Sequence, residues 1–156
     1  MAENFKVEGV DWQKRHLEAY LRTHGEVGHL VDFTAAGGPA KTPCLILEVT
    51  GRRSGAPQRL PLIYGKDGKN FVIVASKGGA PEHPAWYLNL AAHPEVKFQI
   101  VDKKYRGRAR VVASPERELL FEKMAKIYPP YTEYQQKTTR EIPVVLLEPQ
   151  VEIDQL

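Results

Sequence analysis

Short apolar segments separated by tight turns are the feature that most constrains the fold of this chain. We expect strands at residues 43–50, 58–65, 70–75, 95–101, 104–113 and 142–149. Residues 66–69 contain Asp-Gly, a dipeptide that favours a tight hairpin turn, between the second and third of these segments. About six short strands with such turns favour a closed or split barrel over a doubly wound parallel sheet. The predicted fold class is therefore mainly β with flanking helices (α+β), a small closed or split barrel of about six strands.

Three helices are predicted beside these strands. They span residues 11–24, residues 84–91 and a segment that begins at 115–116. The third has Leu119, Leu120, Lys123, Met124 and Ile127 at helical spacing. Residues 25–42 are rich in Gly and Ala without a sustained period and are predicted as a loop, and residues 127–136 break the third helix with two prolines. We expect one domain, made of an N-terminal helix and loop (1–40) and a barrel part (41–156).

Length and charge exclude several classes of protein. At 156 residues, with 42% hydrophobic residues, the chain can bury one ordinary core. A net charge of +3 is small for a nucleic-acid-binding domain, so no nucleic-acid partner is expected. The single Cys44 and the histidine spacing predict neither an internal disulfide nor a metal site. No apolar run has the length of a signal peptide or a membrane span, which predicts a cytoplasmic protein and leaves peripheral membrane contact open.

Two glycine-containing turns carry the most unusual polar pattern. Arg52, Arg53 and Ser54 follow the first predicted strand directly, and Ser76 and Lys77 follow the third in the same way. Successive N–H groups in such turns form concave anion sites, and a guanidinium suits a phosphate or carboxylate. Alternate loops of an up-and-down barrel open at the same rim, so both turns can face one ligand. The alternative for each turn alone is a solvated surface loop.

Two aromatic segments predict a surface for a flat molecule. Trp86 and Asn89 share one face of the short second helix, where they can cover a planar ring and bind its carbonyl or a phosphate. Tyr128, Tyr131 and Tyr134 recur at every third position, which suits an aromatic lid over a flat substrate. Packing against the barrel is the alternative in both segments, and it is the stronger one for Trp86 taken alone.

Other conspicuous residues have simpler interpretations. Cys44 lies inside a predicted strand, where a cysteine is usually a small buried hydrophobe. Arg106, Arg108 and Arg110 alternate along another strand and are expected to form a solvated outer face. Neither a G-x-G-x-x-G loop nor a G-x-x-x-x-G-K-[ST] loop is present.

Three segments, in their order and spacing, together resemble one family. TGRRSGAPQRLPL (50–62), IVASKGGAPEHPAWYLNL (73–90) and YPPYTEYQ (128–135) closely resemble the deazaflavin-dependent nitroreductases. These are the nitro- and quinone reductases that use coenzyme F420 and have a flavin-reductase-like split β-barrel. The resemblance therefore implies that the barrel part (41–156) is a split β-barrel that binds the cofactor. The resemblance covers about residues 40–149, and SKGG…PAWYLNL is its most specific part.

The resemblance implies which residues form the site. The implied cofactor-binding residues are Arg52, Arg53, Ser54, Gln58, Arg59, Leu60, Pro61, Ala75, Ser76, Lys77, Ala85, Trp86, Tyr87 and Asn89. Tyr128, Tyr131 and Tyr134 correspond to the family's substrate-pocket tyrosines, and Ile63 stands where some members carry a tyrosine, which bears on substrate preference. Ser76, Tyr131 and Tyr134 are the candidate catalytic residues, because each hydroxyl can donate a hydrogen bond or a proton to an acceptor oxygen.

The implied function is hydride transfer from reduced coenzyme F420 to a quinone, a nitroaromatic or a similar conjugated acceptor. The cofactor's phosphodiester and oligoglutamate tail are anionic, which explains clustered cations on a nearly neutral chain. Two alternatives stay open. One is an FMN-dependent reductase or oxidase of the split-barrel type, and the other is a deazaflavin-binding carrier without activity. The aromatic lid favours an enzyme, since a carrier needs no second aromatic pocket.

Overall fold

The computed structural model describes residues 3–156 as a mainly β structure with helices on its surface. The strands are β1 Glu3–Lys6, β2 Val27–Asp32, β3 Thr42–Thr50, β4 Pro57–Ile63, β5 Gly65–Asp67, β6 Asn70–Val74, β7 Glu95–Ile100, β8 Lys103–Val111 and β9 Val144–Ile153. The helices are α1 Trp12–Thr23, α2 Ala85–Ala92, α3 Glu116–Ile127 and α4 Pro130–Lys137. Residues 1 and 2 of the predicted N-terminal segment lie outside the described residues. None of the helices within 3–156 is long and apolar enough to cross a membrane.

The predicted count of about six strands is wrong, because the described residues form nine. β2 lies inside the segment predicted as a loop, and β1 precedes the first helix. β2 is held by its neighbours rather than by its own sequence: it pairs with the start of β3 through Leu30–Pro43 and Val31–Thr42. The predicted strand 58–65 ends as β4 at Ile63, and β5 begins at Gly65. Tertiary pairing thus adds strands that weak local propensity conceals.

The segment 127–136, predicted as irregular, contains the helix α4. Pro130 is its first residue, where the missing N–H costs nothing because the first turn has no intrahelical acceptor for it. The double proline therefore begins a new helix in addition to ending α3. Leu119 also departs from its expected place on the buried face of α3, since its side chain is exposed.

The sheet curls without closing, which leaves one strand edge available to a ligand. Its strands follow the order β1-β2-β3-β7-β8-β9-β6-β5, and β4 pairs with β3 outside this path. β4 forms a full antiparallel ladder with β3, from Thr50–Pro57 to Cys44–Ile63. Among the described strands, β3 is the only one that pairs with β4, so the other edge of β4 carries no ladder. This opening is what makes the structure a split barrel.

Both faces of the sheet are buried, which explains the continuous apolar runs of the central strands. In β9, Val144 and Leu146 point to a cluster with Met124, while Val145 and Leu147 point to a second cluster beneath α2. The expected burial of Cys44 is confirmed, and the predicted outer face of Arg106, Arg108 and Arg110 is confirmed as exposed. The predicted helices 11–24 and 84–91 are confirmed as α1 and α2, with ends one residue away.

Candidate functional site

A cavity of about 620 Å³ opens along the unpaired edge of β4. Four other parts of the chain surround it: α1, the loop after β6, the start of α2 and the α3–α4 segment. Its lining residues are Trp12, Gln13, Lys14, Leu17, Phe33, Cys44, Arg59, Leu60, Pro61, Leu62, Ile63, Val74, Ser76, Lys77, Gly78, Pro84, Trp86, Tyr128, Tyr131 and Tyr134. The fold therefore brings together the Ser76 loop, Trp86 and the three tyrosines that the sequence predicted as parts of one site. The volume is within the usual range for a small-molecule site.

A second, smaller cavity of about 250 Å³ lies at the turn between β3 and β4. It is lined by Gly51, Arg52, Arg53, Ser54, Gln58, Ala85 and Asn89. The two cavities share their walls: β4 contributes to both, and α2 contributes Ala85 and Asn89 to the smaller one and Trp86 to the larger one. They are therefore neighbouring parts of one groove, which we call the β4–α2 groove.

Asn89 organises the arginine turn from the buried side of α2. Its Oδ1 accepts hydrogen bonds from the backbone N–H of Arg52 (3.1 Å) and from the Arg52 Nη1 (2.8 Å), and its Nδ2 donates to the Gln58 Oε1 (3.2 Å). The side chain is 3% exposed. Asn89 thus lies at the predicted place, and its observed contacts hold the turn in shape.

The turn keeps backbone donors free for an anion. The N–H groups of Gly51, Gly55 and Ala56 are used within the turn, through bonds of 2.8, 2.8 and 3.1 Å. No acceptor within residues 3–156 takes the N–H groups of Arg53 and Ser54. Two successive free N–H groups beside exposed guanidiniums form an anion-binding concavity.

The three arginines of this region differ in their charge partners. Arg59 forms an ion pair with Glu48 (2.9 Å), whose other oxygen lies 3.9 Å from the Lys97 Nζ. Arg53 has no carboxylate partner in the described part of the chain, and Arg52 bonds only the neutral Asn89 side chain. The uncompensated positive charge is therefore at Arg52 and Arg53, while Arg59 is a neutralised wall residue of the larger cavity.

The loop after β6 contributes Ser76 and Lys77 to the wall of the larger cavity. Ser76 is 9% exposed, and its hydroxyl bonds no other described residue. The Lys77 Nζ lies 3.0 Å from the exposed Glu82 carboxylate, and its backbone has φ of +46°. Of the other implied cofactor residues, Ala75 is fully buried, and the Tyr87 ring packs at a tilt of 49° against the His83 ring, with 4.8 Å between centroids. Neither of these two lines the larger cavity.

The three predicted tyrosines form one cluster at the cavity wall. Ring centroids of Tyr131 lie 5.0 Å from Tyr128 and 6.3 Å from Tyr134, and the hydroxyls of Tyr128 and Tyr134 are 3.4 Å apart. Burial is the main cause that raises the pKa of Tyr128 and of Tyr131 well above the usual value. Like any tyrosine phenol, both are protonated at neutral pH and can act as hydrogen-bond donors, and burial makes their ionisation harder still.

One wall of the larger cavity was missed by the sequence interpretation. The helix α1 contributes Trp12, Lys14 and Leu17, and the residue after β2 contributes Phe33. Phe33 packs against Trp12 at 5.8 Å and against Tyr128 at 5.4 Å between ring centroids. The spacing of apolar and aromatic residues in α1 is the same as in a helix that only packs on the core, so no local sequence pattern shows that this helix lines a cavity.

Comparisons with known proteins identify the family of this chain. Residues 12–149 match a family model described as F420H(2)-dependent quinone reductase. An F420H(2)-dependent quinone reductase of Mycobacterium tuberculosis (strain H37Rv) is 36% identical over 142 residues, which cover 89% of this chain and 91% of that protein. A solved F420-H2 dependent reductase, FDR-A, has a TM-score of 0.64 and 41% identity, over 68% of this chain and 94% of that chain.

More distant structures share the fold. A candidate pyridoxamine 5′-phosphate oxidase of Listeria innocua has a TM-score of 0.51 with 12% identity, over 70% of this chain and 86% of that chain. At this identity the likeness concerns the split-barrel architecture only. These findings confirm the family resemblance that the sequence motifs predicted.

Proposed function

Since the chain belongs to the F420H(2)-dependent quinone reductase family and is an enzyme that uses coenzyme F420, we propose that it transfers a hydride from the reduced cofactor to a quinone-type acceptor. When bound, the cofactor supplies the hydride. The chain supplies the groove that holds both molecules, the donors that face the acceptor and the walls that exclude water.

The β4–α2 groove is the observation that carries this proposal. Its smaller part has two uncompensated guanidiniums and two free backbone N–H groups, at Arg52, Arg53 and Ser54. Its larger part is aromatic and mostly apolar, with Trp86 at the junction. Such a groove suits an elongated ligand with a planar head and an anionic tail, and coenzyme F420 has this form. The residues present therefore fit the cofactor.

The larger cavity also leaves room for an acceptor beside the cofactor ring. We assign the acceptor side to Tyr128, Tyr131, Tyr134 and Ile63, together with Trp12 and Leu17 of α1, which line the same cavity. Holding two flat molecules face to face can supply about 7–11 kcal/mol of the barrier, because the encounter no longer costs translational and rotational entropy. The apolar wall keeps water away from the reacting atoms.

Ser76 and the tyrosine hydroxyls are the proposed donors to the acceptor. A quinone that receives a hydride gains negative charge on an oxygen, which one proton then neutralises. The Ser76 Oγ is unbonded within the described structure and borders the cavity, as do Tyr131 and Tyr134. Each can donate a hydrogen bond to that oxygen. Nitroaromatic acceptors and peripheral membrane contact stay predictions.

The two alternatives differ from this proposal in what they require of the chain. Family membership as a reductase and the second aromatic wall disfavour a carrier without activity. An FMN-dependent enzyme needs a site for one phosphate only, whereas the arginine turn offers two exposed guanidiniums for a longer anionic chain.

Titration of the protein with F420 and, separately, with FMN tests the cofactor assignment. We expect micromolar binding of reduced F420 and binding of FMN that is at least about tenfold weaker, a difference of about 1.4 kcal/mol. Oxidation of reduced F420 should then depend on both enzyme and menadione, followed by the absorbance of the oxidised cofactor. Equal or tighter binding of FMN contradicts the proposal, and so does tight F420 binding without turnover of any quinone or nitroaromatic.

A further inference from the structure

Arg140 lies where three parts of the site meet. Its Nε donates to the Ala80 carbonyl (2.9 Å), its Nη2 to the Ser76 carbonyl (2.8 Å), and its Nη1 to the Ala75 carbonyl (3.3 Å). The same Nη1 lies 3.0 Å from the His83 Nδ1. One planar group thus bonds four acceptors between residues 75 and 83, a pattern for which the fork of a guanidinium is suited and an ammonium is not.

The loop that these bonds hold contains only one irregular turn of 3-10 helix, Lys77–Gly79. It contains three consecutive residues with positive φ: Lys77 at 46°, Gly78 at 64° and Gly79 at 84°. A lysine in this conformation is strained and persists only where the surroundings impose it. Its internal bonds are those of one short turn, from the Gly79 N–H to the Ser76 carbonyl and from the Ala80 N–H to the Lys77 carbonyl. The contacts of Arg140 are therefore the main external support of the loop carbonyls.

Arg140 also connects this loop to the two helices of the site. His83, which accepts from the Arg140 guanidinium in one ring tautomer, packs at a tilt against the ring of Tyr87 of α2. On the other side, the Gln135 Nε2 of α4 donates to the Arg140 carbonyl at 2.8 Å. Gly79 packs so closely on α4 that a Cβ there would lie 2.7 Å from the Tyr134 carbonyl oxygen. The loop, α2 and α4 are thereby fixed relative to one another.

We propose that Arg140 is a positioning residue, which holds the loop from Ala75 to Ala80 in the conformation that the cofactor groove requires. Arg140 itself does not line either cavity, so it acts through Ser76, Lys77 and α2. The expected effect of Arg140 on F420 binding rests on the proposed function, whereas its expected effect on the loop does not depend on any ligand.

The test compares Arg140→Met and Arg140→Lys with Arg117→Met. Arg117 is the control for loss of a buried guanidinium: it donates to the Ile142 carbonyl (2.7 Å) and bonds no carbonyl of the loop. It shares one partner with Arg140, Gln135, whose Oε1 accepts from Arg117 (2.8 Å) and whose Nε2 donates to the Arg140 carbonyl, so the comparison isolates the guanidinium contacts of Arg140. Hydrogen exchange of the Gly79 and Ala80 amides is measured on the protein without cofactor. F420 affinity is then measured by titration, and melting temperatures are recorded for all variants.

In Arg140→Met we expect exchange of the two amides to be at least about tenfold faster and the Kd for F420 to rise about tenfold or more. The exchange rates and the Kd of Arg140→Lys should lie between those of Arg140→Met and of the wild type, since a lysine can bond one or two of the carbonyls. Arg117→Met should lower the melting temperature and leave both quantities near their wild-type values. If Arg140→Met does not fold, the same two quantities are compared between Arg140→Lys and Arg117→Met, and a larger change in Arg140→Lys supports the proposal.

Unchanged loop exchange, or an unchanged Kd, in a folded Arg140 variant overturns the proposal. Equal changes in Arg117→Met also overturn it, because they indicate a general loss of stability. Failure of the proposed function has a different signature: the wild-type protein itself would not bind F420, while the exchange comparison would still show whether Arg140 holds the loop.

Discussion

The two ends of the β4–α2 groove are built in opposite ways. The end at the arginine turn is polar and exposed, and a few hydrogen bonds from one buried side chain, Asn89, hold it. The tyrosine end is aromatic and buried, and its residues belong to the main core cluster together with Val31 and Met124. The first end can change its charge at little cost to folding. At the second end, any change to the acceptor surface is also a change to the core.

The largest effect that tests this difference is the loss of stability expected in the variant Tyr131→Ala. Tyr131 is 4% exposed and contacts both other tyrosine rings, so its removal should cost about 3–5 kcal/mol of the free energy of unfolding. The measurement is urea unfolding of the variant and the wild type. Tyr131→Phe is the control: it keeps the ring and loses a hydroxyl that bonds no described residue, so it should cost less than about 1 kcal/mol.

Kinetics of the same two variants separate packing from a role toward the acceptor. If the Tyr131 hydroxyl assists the acceptor, Tyr131→Phe lowers kcat and kcat/KM for menadione together, while the Kd for F420 does not change. Wild-type kinetics in Tyr131→Phe, combined with strong destabilisation in Tyr131→Ala, would assign this residue to the core alone.

An intermediate effect is expected on affinity at the other end, in Arg53→Met. The exposed Arg53 has no carboxylate partner in the described structure, so its loss should leave the melting temperature unchanged. We expect F420 to bind about tenfold more weakly, with a smaller dependence of the Kd on salt concentration. Isothermal or fluorescence titration at two salt concentrations measures both quantities.

Two controls identify the anionic tail as the partner of Arg53. A deazaflavin fragment without the phosphodiester and glutamates should bind Arg53→Met and wild type equally. Arg108→Met removes an exposed arginine that pairs with Glu95 on the outer face (3.0 Å), and it should not affect F420 binding. An equal loss of affinity for the fragment, or for F420 in Arg108→Met, would show that the tail does not lie at the arginine turn.

The same difference explains how much of the molecule the sequence predicts. The arginine turn, the Ser76 loop and the face of α2 are local patterns, in which residues a few positions apart form each part of the site. All three were predicted, as were the strands β3, β6 and β7 within one residue at each end. The fold class could be predicted because turn residues and apolar runs mark strands locally.

The missed features all depend on contacts between distant segments. β2 is a strand because β1 and β3 pair with it, and α1 lines the cavity because Phe33 connects it to Tyr128. Arg140 stands in a polar stretch, TTREIP, in which no spacing distinguishes it from a solvated residue. Nothing within a short window encodes such contacts, so periodicity and turn chemistry cannot predict them.

The smallest expected effect concerns pH, and it again separates the two ends. His16 lies on the buried face of α1 and is fully buried; its Nε2 lies 2.8 Å from the Gly28 carbonyl oxygen, and its Nδ1 has no partner in the described structure. Burial lowers the pKa of His16 below its usual value of 6.5. The neutral ring donates its Nε2 proton to Gly28, and a second proton on Nδ1 would be buried without an acceptor.

The sign of the pH effect follows from proton binding. Below about pH 6.5 the unfolded chain binds a proton at His16 that the folded chain does not, so the free energy of unfolding falls as the pH falls. The pKa of His29 is lowered in the same direction, mainly by burial, so the wild type carries at least two such contributions. His16→Gln can keep the bond to Gly28 without titrating, and its stability should fall less between about pH 7 and pH 5.

Urea unfolding at these two pH values measures the difference between the wild type and His16→Gln. Since α1 forms a wall of the acceptor side, the KM for menadione should rise toward acidic pH in the wild type more than in the variant. The Kd for F420 should change equally in both, because no contact of His16 reaches the arginine turn. If the free energy of unfolding changes equally with pH in the two proteins, the folded wild type accommodates His16 in its charged form. A variant-specific change in F420 affinity would mean that the two ends of the groove are coupled through α1 rather than separate.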